Sequence, residues 1–193
     1  MNLATFKQIA LVIALAISAT STNATDDVRV SSQHYISTIC TLDGHWEGKF
    51  QRFDHDGVYS TWGAELNYAC LPDNSIFFEW RSLIKSEGQN SYSHKVLFPN
   101  NSKSEIHLSY FRRGRAETYF FNAVNLDYRD ESHWTLVREA SQKVALSNPD
   151  APVSRYTHAR NGNELTISRE VKNEHSSSEW RLSSRITLSA KGN

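Results

Sequence analysis

At 193 residues the chain has the length of one domain. Its 21 Lys and Arg balance 21 Asp and Glu, so no net field draws it to nucleic acid or an acidic membrane surface. With 39% hydrophobic and 22% charged residues, it is neither an integral helical membrane protein nor a disordered chain.

The N-terminus carries a targeting pattern. Lys7 precedes an apolar run from Ile9 to Ile17, and small residues follow through Ala24. Thr22 and Ala24 suit the two subsites at which signal peptidase needs small side chains. A bilayer asks for about 20 apolar residues and this run is about half that. Residues 1–24 therefore read as a cleaved signal peptide that leaves no stable membrane span; an uncleaved anchor is the alternative. The protein is expected to be exported, either periplasmic or secreted. Residues 25–41 form an N-terminal extension, in which Asp27 to Ile39 has the pattern of a short helical turn. Residues 42–190 form the domain.

Export gives meaning to Cys40 and Cys70, the whole cysteine inventory. In an oxidising compartment an even pair reads as one disulfide. Two separate buried thiols are the other arrangement.

From Trp46 onward, short alternating runs are separated by turn residues, which predicts antiparallel sheet. Trp46 to Phe53 is followed by Asp54-His55-Asp56-Gly57, where Asp-Gly supports a tight hairpin. In Val58 to Cys70, the residues Val58, Ser60, Trp62, Ala64, Leu66 and Tyr68 share a face. Pro72-Asp73-Asn74 turns the chain into Ile76 to Lys85. There the aromatic alternation places Ile76, Phe78, Trp80, Ser82 and Ile84 inward, with Glu79, Arg81 and Lys85 outward.

Tyr92 to Phe98, Glu105 to Phe111, Glu117 to Asn125, Trp134 to Ser141 and Val153 to Ala159 continue the pattern. Glu139 to Leu146 could hold a helical turn. Arg160-Asn161-Gly162-Asn163 reads as a hairpin. Leu165 to Val171 and Trp180 to Leu188 complete about ten strands. The fold class is all-β: a single antiparallel meander closed into a barrel, which hides both sheet edges. A two-sheet sandwich is the competing closure, but the short connections suit hairpins better than crossovers.

The segment Leu42-Asp43-Gly44-His45-Trp46-Glu47-Gly48 carries Gly-x-Trp at the start of the first strand. It resembles the opening of calycin barrels, the superfamily of lipocalins, fatty-acid-binding proteins and nitrobindin-like domains. The resemblance implies that Gly44 and Trp46 begin a plug at one barrel end. It also implies that an Arg from the last strand, Arg181 or Arg185, packs across the indole. The chain departs from lipocalins in having no helix after the last strand. Nitrobindin-like barrels bind haem through a His on a late strand. His158 is on such a strand, but no haem motif surrounds it, so it reads as structural and no cofactor is expected.

Arg138 shares phase with Trp134 on its strand, and Arg169 alternates with Leu165, Ile167 and Val171 on its own. An unpaired charge in a dry core costs several kcal/mol. Either these residues face a wet cavity with Trp62, Trp80, Phe120, Tyr156 and Trp180, or a bulge turns them to the surface. The first arrangement suits a small amphipathic ligand with an acid group.

No Gly-x-Ser-x-Gly, His-Glu-x-x-His or phosphate loop is present, so no catalytic residue is assigned. The adjacent Asp54, His55 and Asp56 diverge on a turn, so no metal site is assigned either. The leading expectation is a non-catalytic exported carrier or sensor. A filled barrel binding an envelope protein through Tyr119 and Phe121 is second. A cavity isomerase or cyclase using Glu65, His107 or Arg138 is third.

Overall fold

The computed structural model describes residues 30–85, 88–100, 105–142, 153–172 and 179–192. The signal-peptide reading of residues 1–24 lies outside the described residues, as does any helical turn over 143–146. A short helix, α1 (Ser32–Ile39), precedes a 3₁₀ turn (Cys40–Leu42). Ten strands follow: β1 (Gly44–Asp54), β2 (Gly57–Cys70), β3 (Phe77–Ile84), β4 (Ser91–Asn100) and β5 (Glu105–Arg112). The remaining five are β6 (Arg115–Asp130), β7 (His133–Gln142), β8 (Val153–Asn161), β9 (Glu164–Lys172) and β10 (Arg181–Ala190).

Each strand pairs antiparallel with the next, and β1 pairs with β10 to close a barrel. Barrel closure, not a sandwich, is how this sheet hides its edges. Hairpin turns follow the glycines: Gly57 and Gly162 adopt φ of +117° and +62°, which L side chains rarely adopt. At the seam, Trp46, Gly48 and Phe50 face Ala190, Leu188 and Ile186 on one side and Leu66, Ala64 and Trp62 on the other.

One end of the barrel is plugged. Ser31 caps α1 by accepting from the His34 amide at 3.1 Å. The helix then buries Tyr35, Ile36 and Ile39 against β4 and β6. Cys40 is bonded to Cys70 at the end of β2, with their Cα atoms 5.7 Å apart, which staples the plug to the rim. A chain with both cysteines replaced by serine is expected to lose about 3–4 kcal/mol in a urea melt. A loss under about 1 kcal/mol would mean that α1 holds its place without the staple.

Alternation fixes which side chains face in, and on two strands it differs from the sequence expectation. On β3 the inward set is Phe77, Glu79, Arg81 and Leu83, opposite Tyr68, Leu66, Lys95 and Ser93. Trp80 stands outward, 41% exposed and stacked on Phe78 at 5.9 Å. β3 is apolar on both faces, so aromatic alternation alone named the wrong one. On β6, Phe121 faces in opposite fully buried Ile106, while Phe120 packs outside against His107 at 4.5 Å. Tyr119, Phe120 and Phe121 are all aromatic, so either face fits the sequence; the parity of β6 itself changes only beyond them, at Ala123/Asn125.

Candidate functional site

The inward face is polar at its centre. Glu79, Arg138 and His158 are 3%, 2% and 3% exposed, values otherwise typical of the apolar core. Neighbouring strands place them. Tyr68, Glu79, Lys95 and Tyr110 form a continuous row across β2, β3, β4 and β5. On the facing wall, Ser184, Arg169, Tyr156 and Arg138 form a second row across β10, β9, β8 and β7.

In the first row the charges are paired. One oxygen of Glu79, Oε1, accepts from Lys95 Nζ at 2.6 Å and lies 2.8 Å from Arg81 Nη2. Burial works against this carboxylate, yet Arg81 and then Lys95 outweigh it and hold its pKa down to about 2. Burial and the Arg81 charge bring Lys95 down to about 7, with Glu79 opposing them.

The second row is not paired. Arg138 lies over three aromatic rings, 4.6 Å from Phe121, 5.0 Å from Tyr156 and 6.0 Å from Tyr35. Its Nε and Nη1 are buried and donate to no protein atom. The hydroxyls of Tyr35 and Tyr68 and the Nδ1 of His158 are also buried without a partner. Burial raises the pKa of both phenols, so their hydroxyls stay protonated and able to donate. Arg169 is tied to Ser154 Oγ at 3.0 Å and lies 5.9 Å from the Tyr156 ring.

Toward the end opposite α1, the inward side chains Phe50, Trp62, Leu83, Tyr110, Tyr119 and Tyr156 are only partly buried. These side chains line the lumen of the barrel at the end that α1 leaves uncovered. The fully buried Leu42, Leu66 and Leu165 lie with Trp46 in the sealed half.

Of the residues singled out from sequence, Arg138, Tyr156, Arg169 and Trp62 face this lumen, whereas Trp80 and Phe120 do not. Trp180 lies on the outer surface, beneath Arg155 at 4.4 Å and Lys172 at 4.9 Å. Both of those neighbours alternate with inward Tyr156 and Val171, so the indole is outside the barrel. The expected outer patch of Tyr119 and Phe121 is inside, with Phe121 4% exposed. Glu65 pairs across from Glu47 and Ser82 on the outer face, and His107 packs there between Phe98 and Phe120. Neither reaches the lumen.

Trp46 lies at the plugged end beneath an arginine of β8, and neither Arg181 nor Arg185 packs across it. Trp46 donates from Nε1 to the Leu42 carbonyl at 2.7 Å. Arg160 of β8 lies 5.5 Å from the indole and donates to the carbonyls of Thr41, Glu131 and Gly162. Arg181 instead reaches His55 at 2.9 Å, and Arg185 lies 5.7 Å from Phe53 on an outward position opposite Gln51. β10 alternates with Ile186 and Leu188 inward, which turns Arg185 out.

Sequence reasoning turned Glu79 and Arg81 outward and gave no site role to Lys95, Tyr35 or Tyr68. One signal was available: Glu79 and Lys95 carry opposite charges at similar distances from the turn joining β3 and β4, as cross-strand partners do.

Burial, with the Arg138 charge acting in the same direction, holds His158 neutral and well below the usual imidazole range. An unfolded His protonates near about 6.5, so below that pH the unfolded chain takes up a proton the folded chain refuses, and stability falls. His45, raised by its hydrogen bond to Glu47, acts with the opposite sign and is the same in both chains compared here. A His158→Gln chain is expected to lose less of its melting temperature than wild type between pH 7 and pH 5. Equal losses would mean that His158 protonates freely in the folded state.

No protein-family model matches this sequence, and no curated protein matches it. Among solved structures the chain is similar to the crystal structure of Rv2717c from M. tuberculosis, with a TM-score of 0.60 at 11% identity. The match covers 81% of this chain and 97% of that one. At that identity the likeness shows the fold: a closed, ten-stranded antiparallel barrel.

Proposed function

We propose that this protein is an exported, calycin-like barrel that binds a small amphipathic molecule in its lumen and performs no chemistry on it. One observation carries the reading: partly buried aromatic side chains line the interior above a buried polar floor, where hydrogen-bond donors go unused. A core serving stability alone would leave few such donors, because each unmet buried donor costs about 1–3 kcal/mol. The disulfide between Cys40 and Cys70 supports the exported half of the reading, since such bonds persist in oxidising compartments. Burial of Trp46 at the plugged end supports the calycin resemblance, while the arginine over it, from β8 and not the last strand, departs from it.

Native mass spectrometry of the protein purified from its own host tests the reading. A non-covalent companion of a few hundred daltons, released on denaturation, is expected. A bare polypeptide mass in every preparation would count against it.

A second reading, a partner-binding module of the cell envelope, is favoured by a different surface. The outer face of β3–β5 exposes Trp80 at 41%, Tyr92 at 58% and Phe111 at 42%. Exposed rings on neighbouring strands are what a protein partner would cover. Concentration-independent monomer behaviour, with no envelope protein cross-linked at position 80, would remove it.

A further inference from the structure

We infer that the lumen takes its ligand by a single acid group, a carboxylate or sulfonate on an apolar ring-bearing body, seated on the Arg138 guanidinium beside the hydroxyls of Tyr35 and Tyr68. This rests on the lumen-binding reading above and names the chemistry that lumen selects.

The first ground is an imbalance of charge confined to the interior. The whole chain is neutral. Inside the barrel, Arg81, Lys95, Arg138 and Arg169 face the lumen, against buried Glu79 and, nearer the uncovered end, exposed Glu117 opposite Tyr110. Glu79 Oε1 is taken by both Lys95 and Arg81, and no donor of Arg138 is bonded to this carboxylate. Nothing comparable serves Arg138, whose contacts are the faces of three rings. Ring faces attract a cation but accept no strong hydrogen bond, so Nε and Nη1 keep their protons unshared.

The second ground is convergence. Tyr35 comes from α1, Tyr68 from β2 and Arg138 from β7; the guanidinium lies 6.0 Å from the Tyr35 ring, and its charge works to lower the pKa of both phenols. Each carries a buried donor without a partner. Donors with no acceptor, gathered from three elements, call for an acceptor from outside, and a surplus of positive charge calls for an anion. One unpaired guanidinium flanked by neutral phenols matches one negative charge rather than two. Phe121 and Tyr156, which flank the guanidinium, then meet the apolar body next to the acid group.

Two fluorescent probes of nearly the same shape separate this inference from the reading it rests on: 8-anilinonaphthalene-1-sulfonate and uncharged N-phenyl-1-naphthylamine. Both are titrated into the full mature chain, into Arg138→Met, and into Trp80→Ser as a control for the outer aromatic face. Wild type is expected to prefer the sulfonate by about tenfold or more, as a charge-assisted hydrogen bond in a buried site provides. In Arg138→Met the preference collapses to near unity, while the ligand-free variant melts at a higher temperature because an unmatched buried charge is gone. Trp80→Ser leaves both affinities unchanged.

A preference that persists in Arg138→Met, or equal affinities in wild type, overturns the acid site while leaving lumen binding standing. Binding of neither probe, or binding abolished by Trp80→Ser, overturns the lumen reading itself. Should Arg138→Met fail to fold, Tyr35→Phe serves instead, since it removes one unpartnered hydroxyl and keeps the ring. It is expected to weaken the sulfonate several-fold and leave the neutral probe alone, and unchanged sulfonate affinity would contradict the inference.

Discussion

A Gly48→Ala chain is expected to lose more than about 3 kcal/mol of stability, well above the usual cost of one extra methyl group in a core. Gly48 sits on β1 where the barrel closes, between Leu188 of β10 and Ala64 of β2. A Cβ there would lie 1.9 Å from the Thr187 carbonyl oxygen and 2.9 Å from the Leu188 Cα. Both are backbone atoms, so no side chain can swing aside, and the two strands must separate along the seam that removes the sheet's edges. Gly44 is the contrasting case. Its φ of +121° needs glycine, but nothing lies within 4 Å of a Cβ built on it, so its alanine variant carries backbone strain of about 1–3 kcal/mol without a clash. Circular dichroism during urea unfolding would rank the two. A Gly48→Ala loss below that of Gly44→Ala would mean that the seam is looser than its register indicates.

The second large effect belongs to Trp46→Ala, expected to cost about 3–5 kcal/mol. The indole is 2% exposed, lies under Arg160, and fills the sealed end of the barrel. Truncation would leave a cavity and also strand the Leu42 carbonyl, which accepts the indole proton at 2.7 Å. Trp46→Phe separates the two parts: the ring volume is largely kept, and the lost hydrogen bond accounts for about 1 kcal/mol. Thermal melts of the pair check this, and a Trp46→Ala loss under about 1 kcal/mol would place the indole outside the plug.

Much of the architecture could be read from local chemistry. The hairpins at Asp56-Gly57 and Asn161-Gly162 follow from glycine's freedom at positive φ. The disulfide follows from two cysteines in a chain read as exported, and the number of strands follows from period-two alternation. The interior was harder to read. On β3 both Phe77 and Phe78 are apolar, so either face fits the pattern. What settles it is the partner strand, where Lys95 stands ready to neutralise Glu79. On β6 the run Tyr119-Phe120-Phe121 is aromatic on both faces, which misplaced Phe120; the change of parity at Ala123/Asn125 lies beyond it. The same strand runs on to Asp130 through Asn125 and Asp127, residues poorly suited to sheet, because pairing with β7 outweighs their preference. The arginine over Trp46 comes from β8, and only the three-dimensional path of the β8–β9 turn brings it there.

Binding in the lumen requires that Arg138 face a site and not a packed core. Electron density from crystals of the protein as isolated from its own cells tests this most directly. Density for water or a bound acid within hydrogen-bonding distance of Arg138 Nε and Nη1, reaching toward the Tyr35 and Tyr68 hydroxyls, is the expected result. Finding both nitrogens bonded to backbone carbonyls, with Phe50, Trp62 and Tyr119 packed together and no density between them, would contradict it.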